Sequence, residues 1–159
     1  MKKFLLLLFV LATTAVHAQD NVASFIELLR SEVSTNKKAI VTAAMDFTDA
    51  QASVFWPIYR NYEFDLNKLG DARVAMIKDY AENYEKMTDP KAKELAEKAF
   101  KFQEDRLKLR KKYFNELSKA LSPTMAAKFA QVDNQIQLLI DMQIASELPL
   151  VEKPESAMK

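Results

Sequence analysis

TDAQASVFWPIYRNYEFDLNKLGDARVAMIKDYAENYEKM, residues 48–87, is the stretch whose reading decides the fold. Phe55, Tyr59, Tyr62, Leu66, Leu69, Met76, Tyr80 and Tyr84 recur at three-and-four spacing, which places them on one face of a helix. The start is well specified. Thr48-Asp49-Ala50-Gln51 has the form of a capping box, in which the threonine hydroxyl accepts from the third amide and the glutamine reaches back. Pro57 removes one ladder bond and Gly70-Asp71 is a weak point, so a bend is expected at each.

Working outward, the same period appears on both sides. Val22, Phe25, Ile26, Leu29 and Val33, then Ile40, Val41 and Ala44, predict a first helix over 22–45, interrupted at Ser34-Thr35-Asn36. A third helix opens at Asp89-Pro90 and runs to Ala120, with Leu95, Ala99, Phe102, Leu109, Tyr113 and Leu117 on one face. A fourth opens at Ser122-Pro123 and ends before Pro149, carrying Phe129, Val132, Ile136, Leu139, Ile140 and Ile144. Pro90 and Pro123 suit a first helical position, where the missing N–H costs nothing. The short connectors at 87–90 and 120–123 force antiparallel neighbours. One glycine in 159 residues and no Asn-Gly or Asp-Gly turn leave no signal for a sheet. The chain is therefore read as all-α, an elongated antiparallel helical hairpin or bundle of about four helices. Helices of roughly 30–40 residues run about 45–60 Å, too long for a compact globule of this length. Such a shape leaves apolar surface for a second copy or a client to cover, so a homodimer is an expected partner state.

The N-terminus has the form of a cleavable secretion signal. Met1-Lys2-Lys3 precedes an apolar run from Phe4 to Val16, and Val16-His17-Ala18 fits a small-x-small exit. The run is shorter than the roughly 20 residues a bilayer needs, so cleavage after Ala18 is expected rather than stable membrane insertion. The expected division is a signal at 1–18, one helical domain at 19–148 and a disordered tail at 149–159. Residues 19–159 hold no histidine and no cysteine, because His17 is the single histidine and the chain has no cysteine. That removes Ser-His and Cys-His nucleophile pairs and imidazole or thiolate metal sites. It also removes disulfides, so stability after export must come from packing. No nucleotide-binding loop is present. Without Lys2 and Lys3, 21 basic residues face 22 acidic ones, a charge near −1 that gives no reason to expect nucleic acid as a partner. No enzyme activity, cofactor or metal is expected.

Two segments share a design: Phe47-Thr48-Asp49-Ala50-Gln51-Ala52 and Leu121-Ser122-Pro123-Thr124-Met125-Ala126. With the secretion signal, the length and the long central helices, the pair resembles the LTxxQ motif of the periplasmic Spy/CpxP family. The match is partial: Phe47 replaces leucine in the first copy, and Ser122 and Met125 replace threonine and glutamine in the second. The resemblance implies a periplasmic, ATP-independent chaperone or stress-protective protein that binds unfolded or partly folded envelope proteins. Its alternative is a signalling accessory that binds a sensor kinase's periplasmic domain. Phe47, Thr48, Gln51, Leu121 and Ser122 also have a plain structural reading, as helix starts that fix the corners of a bundle.

Three features are candidates for binding clients. Arg106, Lys108, Arg110, Lys111 and Lys112 put five cations in seven residues, a basic platform for acidic or non-native proteins unless acids such as Glu63 and Asp65 pair them. Trp56 lies in the aromatic run Phe55-Trp56-Pro57-Ile58-Tyr59, which is either a core corner or an exposed patch. Met45, Met76, Met87, Met125 and Met142 suit an adaptable binding surface, but their spacing puts most of them on core stripes. Glu82 and Glu85 share a face and read as solvated.

Overall fold

The computed structural model describes residues 36–152. The expected secretion signal, its expected cleavage point, the apolar run from Val22 to Val33 and residues 153–159 of the tail lie outside the described residues. Among the described residues the chain is all-α and has no strand. Helix α1 covers the described residues 36–45, α2 Asp49–Asn83, α3 Asp89–Ala120 and α4 Pro123–Glu147. Asn36 is helical, so the expected interruption does not reach it. Residues 149–152 carry no regular structure, but the Tyr80 hydroxyl donates to the Pro149 carbonyl at 2.7 Å and so holds the start of the tail.

Side-chain caps define the starts of α2, α3 and α4. Thr48 Oγ1 accepts from the Gln51 amide at 3.3 Å while Gln51 Oε1 accepts from the Thr48 amide at 3.0 Å, a complete capping box. Thr88 caps α3 by accepting from the Lys91 amide at 3.3 Å, and Ser122 caps α4 by accepting from the Met125 amide at 3.2 Å. Pro123 is the first residue of α4 as expected, whereas Pro90 is the second of α3, where its missing N–H is still one of the first-turn orphans. Met125 cannot reach back as Gln51 does; it is half-buried and packs on the core instead.

Helix α2 is unbroken through Pro57 and Gly70, and Gly70 keeps a negative φ. It ends at Asn83, four residues short of the expected Met87, and tightens into a 3₁₀ turn over Tyr84–Lys86. Tight last turns of this kind use i→i+3 bonds where the α ladder runs out. Met87 is buried beneath the turn and closes that end.

Packing is up-down-up. Helix α3 packs directly on α2 and on α4. Helices α2 and α4 meet through long side chains: Phe55 against Phe129, Tyr62 to Asp133, and Arg73 to Asp141. Helix α1 runs back along α2 and α4, with Lys37 at Glu63 and Asp133 and the Met45 carbonyl accepting from Lys128 Nζ at 3.2 Å. Asp46 turns the chain with φ 51°, a left-handed conformation that Asp tolerates better than most residues.

The main core lies where all four helices meet. Val41, Met45, Phe55, Tyr59, Tyr62, Tyr113, Leu117, Ala126, Phe129 and Ile136 are buried together. A second, smaller cluster of Val74, Ile77 and Ile144 lies toward the far end of the bundle.

Candidate functional site

The capping residues of the paired motif act on the bundle. The Phe47 ring is tilted against Phe55 at 4.4 Å and lies 6.2 Å from Trp56, while Leu121 ends α3 against the same core. Trp56 is half-buried, edge-on to Phe55 and Tyr59, with Lys38 Nζ 5.3 Å from its ring centroid. The aromatic run is thus a core corner, with Pro57 the exposed member. Of the methionines, Met45 and Met87 are buried, Met76 and Met125 half-buried, and Met142 is 66% exposed.

The basic run on α3 is largely neutralised. Arg106 donates to both oxygens of Asp141, at 3.0 and 2.8 Å, and its guanidinium lies 5.3 Å from the Phe102 ring. Arg73, from α2, lies on the same ring and binds the same carboxylate at 2.6 Å, so Asp141 joins all three long helices. Arg110 faces Asp133 at 3.6 Å and donates to the Ala130 carbonyl. Lys112 binds Asp65 at 2.9 Å, and the Tyr113 hydroxyl donates to the same oxygen. Those two hydrogen bonds, that of Lys112 foremost, hold the Asp65 carboxyl below the usual range, and the bond to Asp65 raises Lys112. Lys108 pairs with Glu104 one turn earlier at 2.7 Å, which raises the ammonium and lowers the carboxyl. Lys111 is exposed and makes no ion pair among the described residues. Glu63, expected opposite this run, pairs with Lys37 instead. As an open field of charge, the five-cation platform therefore reduces to Lys111 among the described residues.

Sequence reasoning missed a buried ionic cluster at the centre of the bundle. Lys37 is 3% exposed and Asp133 1%. The Tyr62 hydroxyl donates to Asp133 Oδ2 at 2.7 Å. Lys37 Nζ donates to Glu63 Oε1 at 2.7 Å and lies 3.2 Å from Asp133 Oδ1, an ion pair outside hydrogen-bond geometry. Burial, with the Asp133 charge next, pushes the Tyr62 phenol well above its ordinary range, and burial with Glu63 does the same to Tyr59. The adjoining recess, lined by Tyr62, Arg110, Tyr113 and Phe129 among others, holds only about 10 Å³. That is room for about one water and for no substrate, so the cluster is a lock between helices. The signal was present in the sequence as two charges at stripe positions: Lys37 four before Val41, and Asp133 between Phe129 and Ile136.

The open features lie elsewhere. Helices α2 and α3 separate along a groove of about 690 Å³, floored by Leu69, Ala72, Ala75, Met76 and Phe102. Glu94, Glu97, Lys98, Lys101 and Asp105 form its rim. Most of these are engaged: Lys98 binds Asp79 at 2.8 Å and Glu94, and Lys101 binds Asp105. The hydrogen bonds of Lys91 and Lys98 hold the Asp79 carboxyl below the usual range. Among the described residues no group of three or more acidic side chains is placed to hold a metal ion, and no helix is long and apolar enough to cross a membrane. Comparisons with protein-family models, curated proteins and solved structures find no match to this chain.

Proposed function

We propose that this chain is an exported, ATP-independent protein-binding protein, a periplasmic chaperone or stress-protective binder of the kind the Spy/CpxP resemblance implies. The observation that carries this reading is the α2–α3 groove, which no described residue covers. It is long, apolar at its floor and rimmed by ion pairs of both signs. An extended non-native segment laid there buries apolar side chains on Leu69, Met76 and Phe102, while its polar backbone meets the charged rim. Ala72 and Ala75 keep the floor low enough for a chain to lie down. Contacts of this kind are weak and tolerant of sequence, which suits capture and release without nucleotide. Lys111 adds a modest electrostatic attraction for acidic clients.

The test is aggregation of a chemically denatured model client, followed by light scattering without ATP. The intact chain is expected to suppress scattering near stoichiometric amounts, and Ala72→Arg with Ala75→Arg to lose most of that suppression while keeping the helical spectrum. No suppression by the intact chain overturns the chaperone reading. Recovery of one dominant partner from an envelope extract would then select the signalling accessory.

A further inference from the structure

Among the residues that line the α2–α3 groove, Phe102 is the single aromatic, and its half-buried ring is held by cations. Arg73 of α2 and Arg106 of α3 each place a guanidinium 5.3 Å from its centroid, within cation–π range. Asp141 of α4 fixes both guanidiniums in turn, accepting from Arg73 at 2.6 Å and from Arg106 at 3.0 and 2.8 Å. Gln103 Oε1 accepts from the other Arg106 nitrogen at 2.7 Å. All three charged side chains are more than three-quarters buried, and none of them lines the groove. The ring is therefore a partition, with the groove on one side and the cations on the other.

This arrangement fixes the ring and sets its charge. Ala72 and Ala75 share the groove floor and leave space into which an unmoored ring would fall. Moored to two guanidiniums, the ring keeps one face presented, and a preformed contact binds without the cost of ordering it. Two guanidiniums share a single carboxylate, so one positive charge is left over behind the ring among the described residues. The rim adds no such surplus: Lys98 and Lys101 are paired with Glu94 and Asp105, and Glu97 has Lys93 at 3.8 Å. A ring whose negative π density is already drawn to cations on one side is a poor seat for another cation on the opposite side. It still takes a second aromatic ring in offset-stacked or edge-to-face contact.

We infer that the groove face of Phe102 is a seat for an aromatic side chain carried on a neutral or acidic segment, and that Asp141 is the positioning residue that holds the seat through Arg73 and Arg106. The inference rests on the reading of the groove as a binding surface for non-native chains, and adds the side chain that such a chain brings to it.

The test titrates the isotope-labelled full chain with nine-residue Gly-Ser peptides that carry a central Trp or Leu flanked by Glu or by Lys. Amide shifts of Ala72, Ala75 and Phe102 give the dissociation constants by NMR. The Trp peptide flanked by Glu is expected to bind at least about threefold tighter than its Leu counterpart, and tighter than the Trp peptide flanked by Lys. Asp141→Asn should bring the Trp-over-Leu ratio close to one while the Leu peptide still binds and the helical spectrum is kept. Asp141→Glu should restore the ratio, and Phe102→Leu should abolish it. A loss of packing alone would weaken both peptides together and leave the ratio unchanged. Shifts at the groove amides with equal binding of Trp and Leu, or with tighter binding of the Lys-flanked peptide, would overturn the seat and leave the groove reading standing. A ratio that survives Asp141→Asn would overturn the role of Asp141. No shift at those amides with any peptide would overturn the groove reading and the seat with it.

Discussion

The two ends of this helical bundle are built from the same amphipathic helices yet hold together in different ways. At the end where α1 joins, aromatic rings interlock: Phe55 packs on Phe47, Trp56, Tyr59 and Phe129, and Tyr62 on Tyr113 and Phe129. At the far end the core shrinks to Val74, Ile77 and Ile144, and Asp79 ties α2 to α3 through Lys91 and Lys98. Between them Ala72 and Ala75 face the α2–α3 groove where rings would have filled it. Helical period alone does not close a bundle. The volume of the residues on the stripe decides whether two helices seal against each other or part to leave a surface. In this molecule the aromatic end is the scaffold, and the thin end carries the groove.

The sharpest way to break this contrast is at the buried charges. Lys37→Met leaves the Glu63 carboxylate without its cation and Asp133 with only the more distant Arg110, and should cost roughly 3–5 kcal/mol of stability in denaturant unfolding. A loss below about 1 kcal/mol would mean that the cluster is wet and the aromatic end is no tighter than the other.

Tyr62→Phe should cost less, about 1–3 kcal/mol, by removing the donor to a buried carboxylate. Its alkaline behaviour sharpens the point. The folded phenol titrates above its unfolded value, so its contribution is complete below about pH 10 and is lost as pH rises beyond it. The intact chain should therefore lose stability above about pH 10, and Tyr62→Phe should flatten part of that fall. Parallel curves for the two proteins would show that the phenol is not sealed.

The smallest effect is expected at the thin end. Asp79→Asn should lower the melting temperature slightly at low salt and not at all at 1 M salt, where screening shortens to about 3 Å. A large, salt-independent loss would show that the groove end is as rigid as the aromatic one.

How much of this was legible depends on the range of the interaction concerned. Thr48, Gln51 and Ser122 were readable as helix starts because a cap joins residues three apart. The Lys112–Asp65 pair was readable because antiparallel neighbours bring those stretches together. The platform that five neighbouring cations suggested was not there, since Arg106 and Arg110 turn inward to Asp141 and Asp133 on α4. The end of α2 at Asn83 was missed because its apolar stripe continues through Tyr84 into the 3₁₀ turn.

Helical period, capping chemistry and the near absence of glycine were sufficient by themselves to make this an all-α chain with the helix starts in their places, because those signals act within a few residues along one strand of chain. Which charges are buried, which flank of α3 faces α4, and where the helices part to form a groove were decided only in the tertiary structure. Lys37 and Asp133 are 96 residues apart in sequence, and what either does depends on the shape and charge of the helix that arrives beside it.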